Sequence, residues 1–247
     1  MATVNELLTQ MRRDLDDPEV PGQGDDSLSL FGTEELVGYL NRAVDEACLR
    51  GRLLLDSDTP AVCRITLEAG KASYPLDSRV YRVHRARLVN HGHVLVKTGR
   101  ADLDHLYVYD EYDRPVYTHV ADWEDQDGLP RYFLQDMGAN GLRVVPRPTE
   151  NEVPETLALT VYRTQLEPLV AYKAMVQEPE IHPLYHYPLL DWVYYLALSK
   201  QDADTYDPEK ASRNYAAFEA RFGPRPSAED LELERKGRPM RVRSHFF

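Results

Sequence analysis

Two pairs of histidines have the residue types and spacing best suited to chemistry in this chain. His182 and His186 (the HPLYH pair) stand four residues apart, the spacing at which a helix points two imidazoles to one side. His91 and His93 (the HGH pair) flank a glycine, a pattern found in some metal-binding β-barrels. Imidazoles are common zinc ligands, but a site normally needs three or four protein ligands. The HGH pair therefore raises the hypothesis of a metal-dependent β-barrel enzyme.

Neighbouring residues favour a structural role for both pairs. Pro183 and Pro188 make the stretch from His182 to His186 an irregular lead-in to a helix, so the two rings need not share a face. We expect these histidines to pack or cap at the junction of a β unit and a helical bundle. Gly92 lets the chain reverse and places the HGH pair at a predicted hairpin turn.

A cluster of aspartates follows the HPLYH pair. Asp202, Asp204 and Asp207 are spaced like the first ligands of a calcium loop, which needs a glycine at its sixth position and a glutamate at its twelfth. Asp207 and Arg213 occupy those positions, so the motif fails. Asp207 is instead expected to cap the helix that opens at Asp-Pro-Glu.

The common catalytic and nucleotide-binding motifs are missing from the chain. It has no GxxxxGK(S/T) loop, no GxGxxG fingerprint after a strand, no GxSxG elbow and no HExxH helix. We therefore predict a protein that is not an enzyme and has no catalytic residue, no metal site and no cofactor.

The charge of the chain is strongly segregated. The net charge of −12 opposes a surface built to bind nucleic acid, because phosphate binding needs a clustered basic face. Residues 1–234 hold 24 basic and 41 acidic side chains, a net charge of −17, whereas residues 235–247 hold five basic and no acidic ones. Such segregation is typical of a tail that binds an acidic surface.

Composition indicates a folded chain that stays in the compartment where it is made. It is 43% hydrophobic, with no apolar run long enough to span a bilayer and no apolar core of a signal peptide. Cys48 and Cys63 share no motif, and they fit a reducing cytoplasm as two small buried apolar residues.

Hydrophobic periodicity predicts helices at both ends of the chain. Apolar residues repeat at helical spacing from Val4 to Leu15 and from Leu36 to Ala47, where Thr33 is expected to cap the second helix. A third helix is predicted after residue 183, and a fourth from Asp207 to the Gly-Pro that follows Phe222.

From about residue 60 the period changes to the alternation typical of strands. Short segments such as AVCRITL, YRVHRARLV, HVLVKTG, RYFLQDM, GLRVVP and LALTVYR alternate apolar and polar residues between Gly, Asn, Pro or Thr clusters. Without helices between them, they predict an antiparallel sandwich or small barrel. The aromatic and acidic stretch from residue 106 to 130 is expected to be mostly a long exposed loop.

The predicted fold class is α+β, with a β domain inserted into an antiparallel helical bundle. We expect residues 1–58 and 180–234 to form the bundle, residues 59–179 to form the β domain, and residues 235–247 to form a basic C-terminal arm.

Tyrosine is common, at 16 residues, and it suits protein–protein contacts as well as an ordinary sheet core. Acidic neighbours within the aromatic loop oppose stacking of nucleic acid on its rings. The candidates for contact with a neighbouring subunit or a tail protein are Tyr107, Tyr109, Tyr112 and Tyr117.

Several stretches resemble the head-to-tail adaptor proteins of tailed bacteriophages, which are also called connector or tail tubular A-like proteins. They are GTEELVGYLNRAVDEACLRGRLL, then GLPRYF with VVPRP, then PEIHPLYHYPLLDWVYYLALSKQDADTYDPEKASRNYAAFEARFG. The helical stretches are the more specific match, and the β insertion matches mainly in its order of elements and its GLP turn. The resemblance covers about residues 1–227.

The resemblance implies a structural virion protein at the head–tail interface, assembled in the host cytoplasm. Its expected partners are further copies of itself in a ring, usually of twelve, the portal protein, and a downstream nozzle, stopper or tail tube protein. DNA is expected only as non-specific cargo in the lumen, where an acidic body would let it slide. No membrane partner is expected.

The basic arm is expected to dock on the portal, with arginines pairing to acidic groups while terminal rings fill a pocket. The predicted portal-docking residues are Arg238, Arg241, Arg243, Phe246 and Phe247. Two rivals remain open: the metal-dependent enzyme that uses His91 and His93, and a monomeric or dimeric regulatory domain in a host cell.

Overall fold

The computed structural model describes residues 2–17, 29–104, 108–109, 115–116, 123–135, 140–201, 205–227 and 230. The chain divides into two compact units. A helical unit takes in the chain up to Leu54 and from Arg163 to Arg225, and a β unit takes in Leu55–Tyr162. Residues 163–179, which the sequence places in the β insertion, thus belong with the helices.

Helices lie in both units, and the four longest belong to the helical one. The α-helices are α1 (Val4–Asp14), α2 (Thr33–Gly51), α3 (Pro60–Cys63), α4 (Arg100–Asp104), α5 (Leu190–Leu198) and α6 (Pro208–Phe222). Within the helical unit, α5 packs against α2 and α6, and α1 packs against α2 and α5. None of the helices in the described part of the chain is long and apolar enough to cross a bilayer.

The first helix forms as its periodicity predicts. Its N-terminus has a reciprocal capping box, in which the Thr3 hydroxyl accepts the Glu6 amide and the Glu6 carboxylate accepts the Thr3 amide. The buried stripe of α1 consists of Val4, Leu7, Leu8 and Met11. These side chains join the apolar core of the helical unit, where each large buried side chain contributes about 1.5–3 kcal/mol.

The predicted cap of α2 is wrong. Gly32 occupies the N-cap position without a side-chain bond, and Thr33 is the first residue of the helix. The hydroxyl oxygen of Thr33 instead accepts a hydrogen bond of 2.7 Å from Nη2 of Arg12. Arg12 also donates to the Asp17 carboxylate and to the Phe31 carbonyl, each at 3.2 Å. The threonine is thus used in a tertiary contact between α1 and the start of α2.

Eight strands of the described residues form one curled, mixed sheet that resembles half a barrel. The strands are β1 (Leu55–Asp56), β2 (Arg64–Leu67), β3 (Ser73–Pro75), β4 (Val80–Leu88), β5 (Val94–Lys97), β6 (Val108–Tyr109), β7 (Pro115–Val116), β8 (Tyr132–Leu134), β9 (Gly141–Val145) and β10 (Glu155–Arg163). The sheet has the order β1-β10-β4-β5-β8-β9-β3, and β2 also pairs with β10. The remaining strands, β6 and β7, form an antiparallel pair within the predicted exposed loop.

The prediction of a mixed α and β chain is confirmed, but the prediction of purely antiparallel pairing is wrong. Strands β5 and β8 are parallel, with Val96 opposite Tyr132. Parallel neighbours need a crossover of a dozen or more residues, and residues 98–131 supply one. The predicted strand AVCRITL is also shorter than expected, because Pro60 starts the short helix α3 before β2.

The predicted hairpin around the HGH pair is confirmed. Strands β4 and β5 pair in antiparallel fashion with Ala86 opposite Leu95, and Gly92 has a φ of +65° in the turn. This left-handed conformation costs glycine little, whereas a side chain there would strain the backbone.

Leu54 and Arg163, which flank the β unit in sequence, are hydrogen-bonded neighbours. The amide of Arg163 donates to the Leu54 carbonyl at 3.2 Å, and the next residues, Leu55 and Tyr162, are paired across β1 and β10. The guanidinium of Arg163 then donates to the Glu180 carboxylate at 2.9 and 2.5 Å. The position of Arg163 is thus fixed by a backbone hydrogen bond and by an ion pair with two hydrogen bonds.

Candidate assembly surface

The histidines of the HPLYH pair have separate structural roles. His186 is buried; its Nε2 lies 3.0 Å from the Ile181 carbonyl and its Nδ1 lies 3.3 Å from the Ala2 amide nitrogen. Nδ1 of His182 accepts the Leu184 amide and caps the 3-10 turn that precedes α5. The prediction that these histidines pack or cap is confirmed: His186 packs, and His182 caps.

One member of the HGH pair, His91, contacts a buried carboxylate, whereas the side chain of His93 is exposed. Nδ1 of His91 is 2.5 Å from Oε2 of Glu155, whose carboxylate also accepts the amides of Asn90, His91 and Thr156. Burial alone would raise the pKa of Glu155, but these hydrogen bonds outweigh it and lower the pKa. Because the ionised carboxylate only accepts, Nδ1 of His91 carries the proton. The contact between His91 and Glu155 therefore holds the β4–β5 turn against β10.

A carboxylate that holds one nitrogen of an imidazole is also the arrangement that orients metal-binding histidines. In His91 it leaves Nε2 directed away from Glu155. Across the described ranges, however, no group of three or more His, Cys, Asp and Glu side chains is arranged to hold a metal ion. The geometry thus supports a turn-fixing role directly, and a metal-binding role only through the orientation of one imidazole.

Of the other residues predicted from the sequence, some lie within the described part of the chain and some lie outside it. Asp207 caps α6 as predicted, since its carboxylate accepts the Lys210 amide at 3.0 Å and Pro208 follows it. Tyr109 lies in β6 opposite Pro115, and its side chain is outside the described set. Outside the described residues altogether are Asp202, Asp204, Tyr107, Tyr112, Tyr117, Arg238, Arg241, Arg243, Phe246 and Phe247.

An arginine at the centre of an aromatic cluster was missed from the sequence. The guanidinium carbon of Arg50 lies 5.0 Å from the ring centroid of Trp192, 5.4 Å from that of Tyr215 and 5.3 Å from that of Phe218. Nε and Nη2 of Arg50 donate to the Glu46 carboxylate at 2.9 and 2.8 Å. The i, i+4 spacing of Glu46 and Arg50 on α2 is the signal that could have indicated it. This cluster joins α2, α5 and α6.

Beside this cluster lies a cavity of about 400 Å³, where α5 ends and α6 begins. Three rings, those of Tyr195, Tyr206 and Tyr215, line it together with small and polar side chains. The other lining residues are Ser199, Gln201, Pro208, Ala211 and Ser212. We name it the tyrosine cavity. Such a concave, aromatic surface suits an apolar or cationic side chain from a partner.

A second surface of the helical unit is apolar and exposed. Tyr172, Met175 and Val176, which we name the apolar turn, are 81%, 73% and 80% exposed. The amides of Val4 and Asn5 donate to carbonyls of this segment at 2.9 Å each, so the first turn of α1 fixes its backbone. Large apolar side chains held in place on the surface are typical of protein-binding sites.

Comparison with known protein families decides the identity of the chain at family level. A family model described as SU10 adaptor protein matches residues 2–243. The chain belongs to the SU10 adaptor protein family. A search of curated proteins found no match to the chain.

Membership of the SU10 adaptor family confirms the resemblance to phage head-to-tail adaptors noted from the sequence. The match spans both the helical unit and the β unit, so it does not depend on one motif. Proteins of this kind are structural adaptors of phages. The features of this SU10 adaptor that bear on function are therefore its contact surfaces.

Burial also raises the pKa of several titratable groups of this SU10 adaptor. It raises the pKa of Cys48 to about 12, so the thiol stays protonated at neutral pH and is a poor nucleophile. Burial, with a hydrogen bond to Glu35, raises the pKa of Tyr39 to about 12. Burial likewise raises the pKa of Asp191, against the opposing charge of Arg221. These shifts follow from packing in the helical core.

Proposed function

We propose that this chain is a head-to-tail adaptor that forms a ring beneath the portal, joins the DNA-filled head to the tail and continues the DNA channel. The observation that carries the proposal is the match of the SU10 adaptor family to residues 2–243. The partners proposed are further copies of the chain, twelve in the ring, the portal protein and a downstream tail component.

The surfaces of the helical unit support this proposal. The apolar turn displays three large side chains on a fixed backbone, and such a surface is stabilised when a partner covers it. The tyrosine cavity offers a concave surface of matching chemistry on the same unit. Rings of identical subunits are built from two different, complementary surfaces on each copy.

The charge distribution supports the channel and the docking arm. The net charge of −17 on residues 1–234 suits a lumen through which DNA passes without binding, because phosphates are repelled by carboxylates. The charge of +5 on residues 235–247 suits an arm that binds an acidic surface of the portal. For that docking we propose Arg238, Arg241, Arg243, Phe246 and Phe247.

Electron microscopy of the purified chain mixed with its own portal tests the proposal. We expect an additional ring of density on one end of the portal, with a central channel and a mass that gives the copy number. A matched sample of portal alone is the control. Portals that stay unchanged at saturating concentrations of the chain would contradict the proposal.

The Glu155–His91 pair supports a second candidate, a metal-dependent enzyme that uses His91 and His93 on the β unit. Elemental analysis of the purified chain, compared with a His91→Ala variant, separates the two. A stoichiometric divalent metal that the variant loses would favour the enzyme. Substoichiometric metal, unchanged by the substitution, would favour the structural role of the pair.

A further inference from the structure

We propose that the outward face of strands β2, β10 and β4 in the β unit binds the phosphate backbone of duplex DNA without reading its sequence. This contact goes beyond the proposed function, in which DNA is only cargo, and it rests on that function solely for the presence of DNA. We name the surface the arginine face. Its side chains are Arg64, Arg82, Arg85, Arg87, Thr156 and Thr160.

Strand pairing places these side chains on one side of the sheet. Strand β10 lies between β2 and β4, and alternate residues along it are buried, so the positions between them project outward. Arg64 on β2 is opposite the outward residue Ala158 on β10, and paired residues project to the same face. Arg87 on β4 is opposite Val94 on β5, and both are exposed.

The arginine face carries positive charge of one sign. Strands β2, β4, β5 and β10 contain six lysines and arginines and a single acidic residue, Glu155, which is buried. In the adjoining turns, the carboxylates of Glu68, Asp77 and Glu152 are bonded to Lys71, Arg79 and Thr149. Phosphate binding needs a clustered basic face, and the net charge of −12 on the whole chain conceals this one.

The guanidinium groups of this face keep their charge for a ligand. Arg85 and Arg87 are exposed and form no ion pair with any other residue that the structure describes. Arg64 donates to two backbone carbonyls at 3.2 and 3.1 Å, which fixes its guanidinium without neutralising it. Outward positions two residues apart on a strand are separated by about 7 Å, so Arg85 and Arg87 can contact separate phosphates.

The centre of the arginine face favours phosphates over an acidic protein. Protein interfaces depend on large apolar or aromatic anchors near their centre. Here the central strand presents Thr156, Ala158 and Thr160, and threonine hydroxyls beside arginines are common donors to DNA phosphates. The half-exposed valines of β5, Val94 and Val96, lie beyond β4 and away from this centre.

The aromatic rings on this face favour backbone contact over base stacking. The ring centroid of Tyr162 lies 6.4 Å from that of Tyr81 and 5.8 Å from that of His84. The guanidinium carbon of Arg82 lies 5.8 Å from the same ring. Tyr162 is therefore already surrounded, whereas single-strand binding uses open rings on which bases stack. Because the net charge of −12 opposes the approach of DNA, we expect a weak contact that decreases steeply with salt.

Salt titration of DNA binding by the purified chain tests the arginine face. The probe is a short fluorescently labelled DNA duplex, and anisotropy gives the affinity at each salt concentration. Arg85→Gln/Arg87→Gln should weaken binding at low salt at least about tenfold. It should also reduce the slope of log affinity against log salt by about 2, one for each lost phosphate contact. Arg85→Lys/Arg87→Lys retains both charges and should keep most of the slope.

Arg213→Gln/Arg221→Gln is the matched control, because it removes the same charge from exposed positions of α6 and should leave the slope unchanged. Every variant retains the basic side chains of residues 235–247, so their contribution is common to all samples. Circular dichroism checks folding, and Arg87→Gln alone, with a slope reduced by about 1, replaces the double variant if that variant unfolds.

Three results would overturn the DNA contact. The first is a wild-type chain that does not bind the duplex at low salt, or an Arg85→Gln/Arg87→Gln variant that binds it like the α6 control. The second is tighter binding of the matched single strand, which would indicate stacking of bases. The third is displacement of the duplex by poly-L-glutamate at equal or lower charge concentration, which would identify a site for acidic proteins.

Electron microscopy with the portal separates this contact from the proposed function. Arg85→Gln/Arg87→Gln should still add a ring to the portal. Rings formed by a chain whose DNA binding does not depend on Arg85 and Arg87 would overturn the DNA contact alone. DNA binding that depends on these arginines, in a wild-type chain that adds no ring, would support the contact and count against the proposed function.

Discussion

The imidazole of His186 contacts the backbone of Ala2, which precedes it by 184 positions, with Nδ1 at 3.3 Å from the amide nitrogen. The other ring nitrogen, Nε2, lies 3.0 Å from the Ile181 carbonyl and donates to it. Nδ1 also lies 3.1 Å from the Ala2 carbonyl oxygen, so the ring contacts both backbone polar groups of that residue. The beginning of the chain is thus bound to the segment that leads into α5.

Loss of this imidazole should destabilise the helical unit. His186→Leu leaves buried backbone groups of Ala2 and Ile181 without a partner, and we expect the free energy of unfolding to fall by about 2–4 kcal/mol. Urea denaturation followed by Trp192 fluorescence, in a Trp123→Phe background, reports on this unit alone. The exposed cap residue provides the control: His182→Ala should cost less than about 1 kcal/mol. Similar losses for the two variants would contradict the separate roles assigned to these histidines.

The carboxylate of Glu155 should control the acid stability of the β unit. Glu155→Gln replaces an acceptor of three backbone amides with an amide that also donates, so we expect a loss of about 2–3 kcal/mol at neutral pH. Fluorescence of Trp123 in a Trp192→Phe background follows this unit. Glu68→Gln, whose side chain is 62% exposed, is the control.

The sign of the pH dependence follows from the lowered pKa of Glu155. The folded state binds this proton less tightly than the unfolded state, whose pKa is the ordinary 4.5. The stabilisation is therefore complete above that pH and is lost as the pH falls through the lower folded value. Wild-type stability should fall across this acidic window more steeply than that of Glu155→Gln. Parallel pH profiles would count against the assignment.

Both the planar fork of the Arg50 guanidinium and its charge should stabilise the helical unit. Arg50→Lys keeps the charge but loses the two-bonded contact with Glu46 and the planar stacking, at an expected cost of about 1–2 kcal/mol. Arg50→Met removes the charge as well and leaves the partly buried Glu46 with only its longer ion pair to Arg225, at 3.5 Å, so we expect a cost of about 2–4 kcal/mol. The measurement is again urea denaturation with Trp192 as the probe. Arg213→Lys, exposed on α6, should change stability by less than about 0.5 kcal/mol, and equal effects at both positions would refute this ranking.

Removal of the basic arm should impair portal attachment. Deletion of residues 237–247 takes away Arg238, Arg241, Arg243, Phe246 and Phe247, and we expect binding to assembled portals to weaken at least about tenfold. Cosedimentation with the chain's own portal at two salt concentrations measures the effect, since the arginine contribution should decrease with salt. Arg213→Ala, which removes one arginine outside the arm, is the control and should leave portal binding unchanged. Unchanged binding after the deletion would end this hypothesis.

Local patterns predicted the elements of this fold better than their pairing. The stripes of α1, α2 and α6 and the cap at Asp207 depend on residues within one or two turns, so periodicity was enough. The parallel pairing of β5 with β8 depends on a crossover of some thirty residues, and alternation of apolar residues does not encode which strand lies beside which.

The candidate surfaces were harder to predict from the sequence than the helices and strands. Thr33 has the residue type and position of a helix cap, but its hydroxyl is used by Arg12 from another helix. The apolar turn is indistinguishable in sequence from a buried segment, because AYKAMV has the composition of a core helix. The structure shows instead that Tyr172, Met175 and Val176 face solvent. The roles assigned to the arm and to the loop tyrosines stay predictions.

The backbone bond between Leu54 and Arg163 has a consequence for engineering of the chain. The 108 residues between them, 55–162, begin and end at hydrogen-bonded neighbours. A change of length inside this segment therefore leaves both flanking residues in place, and we expect variants with shortened turns there to keep the helical unit folded.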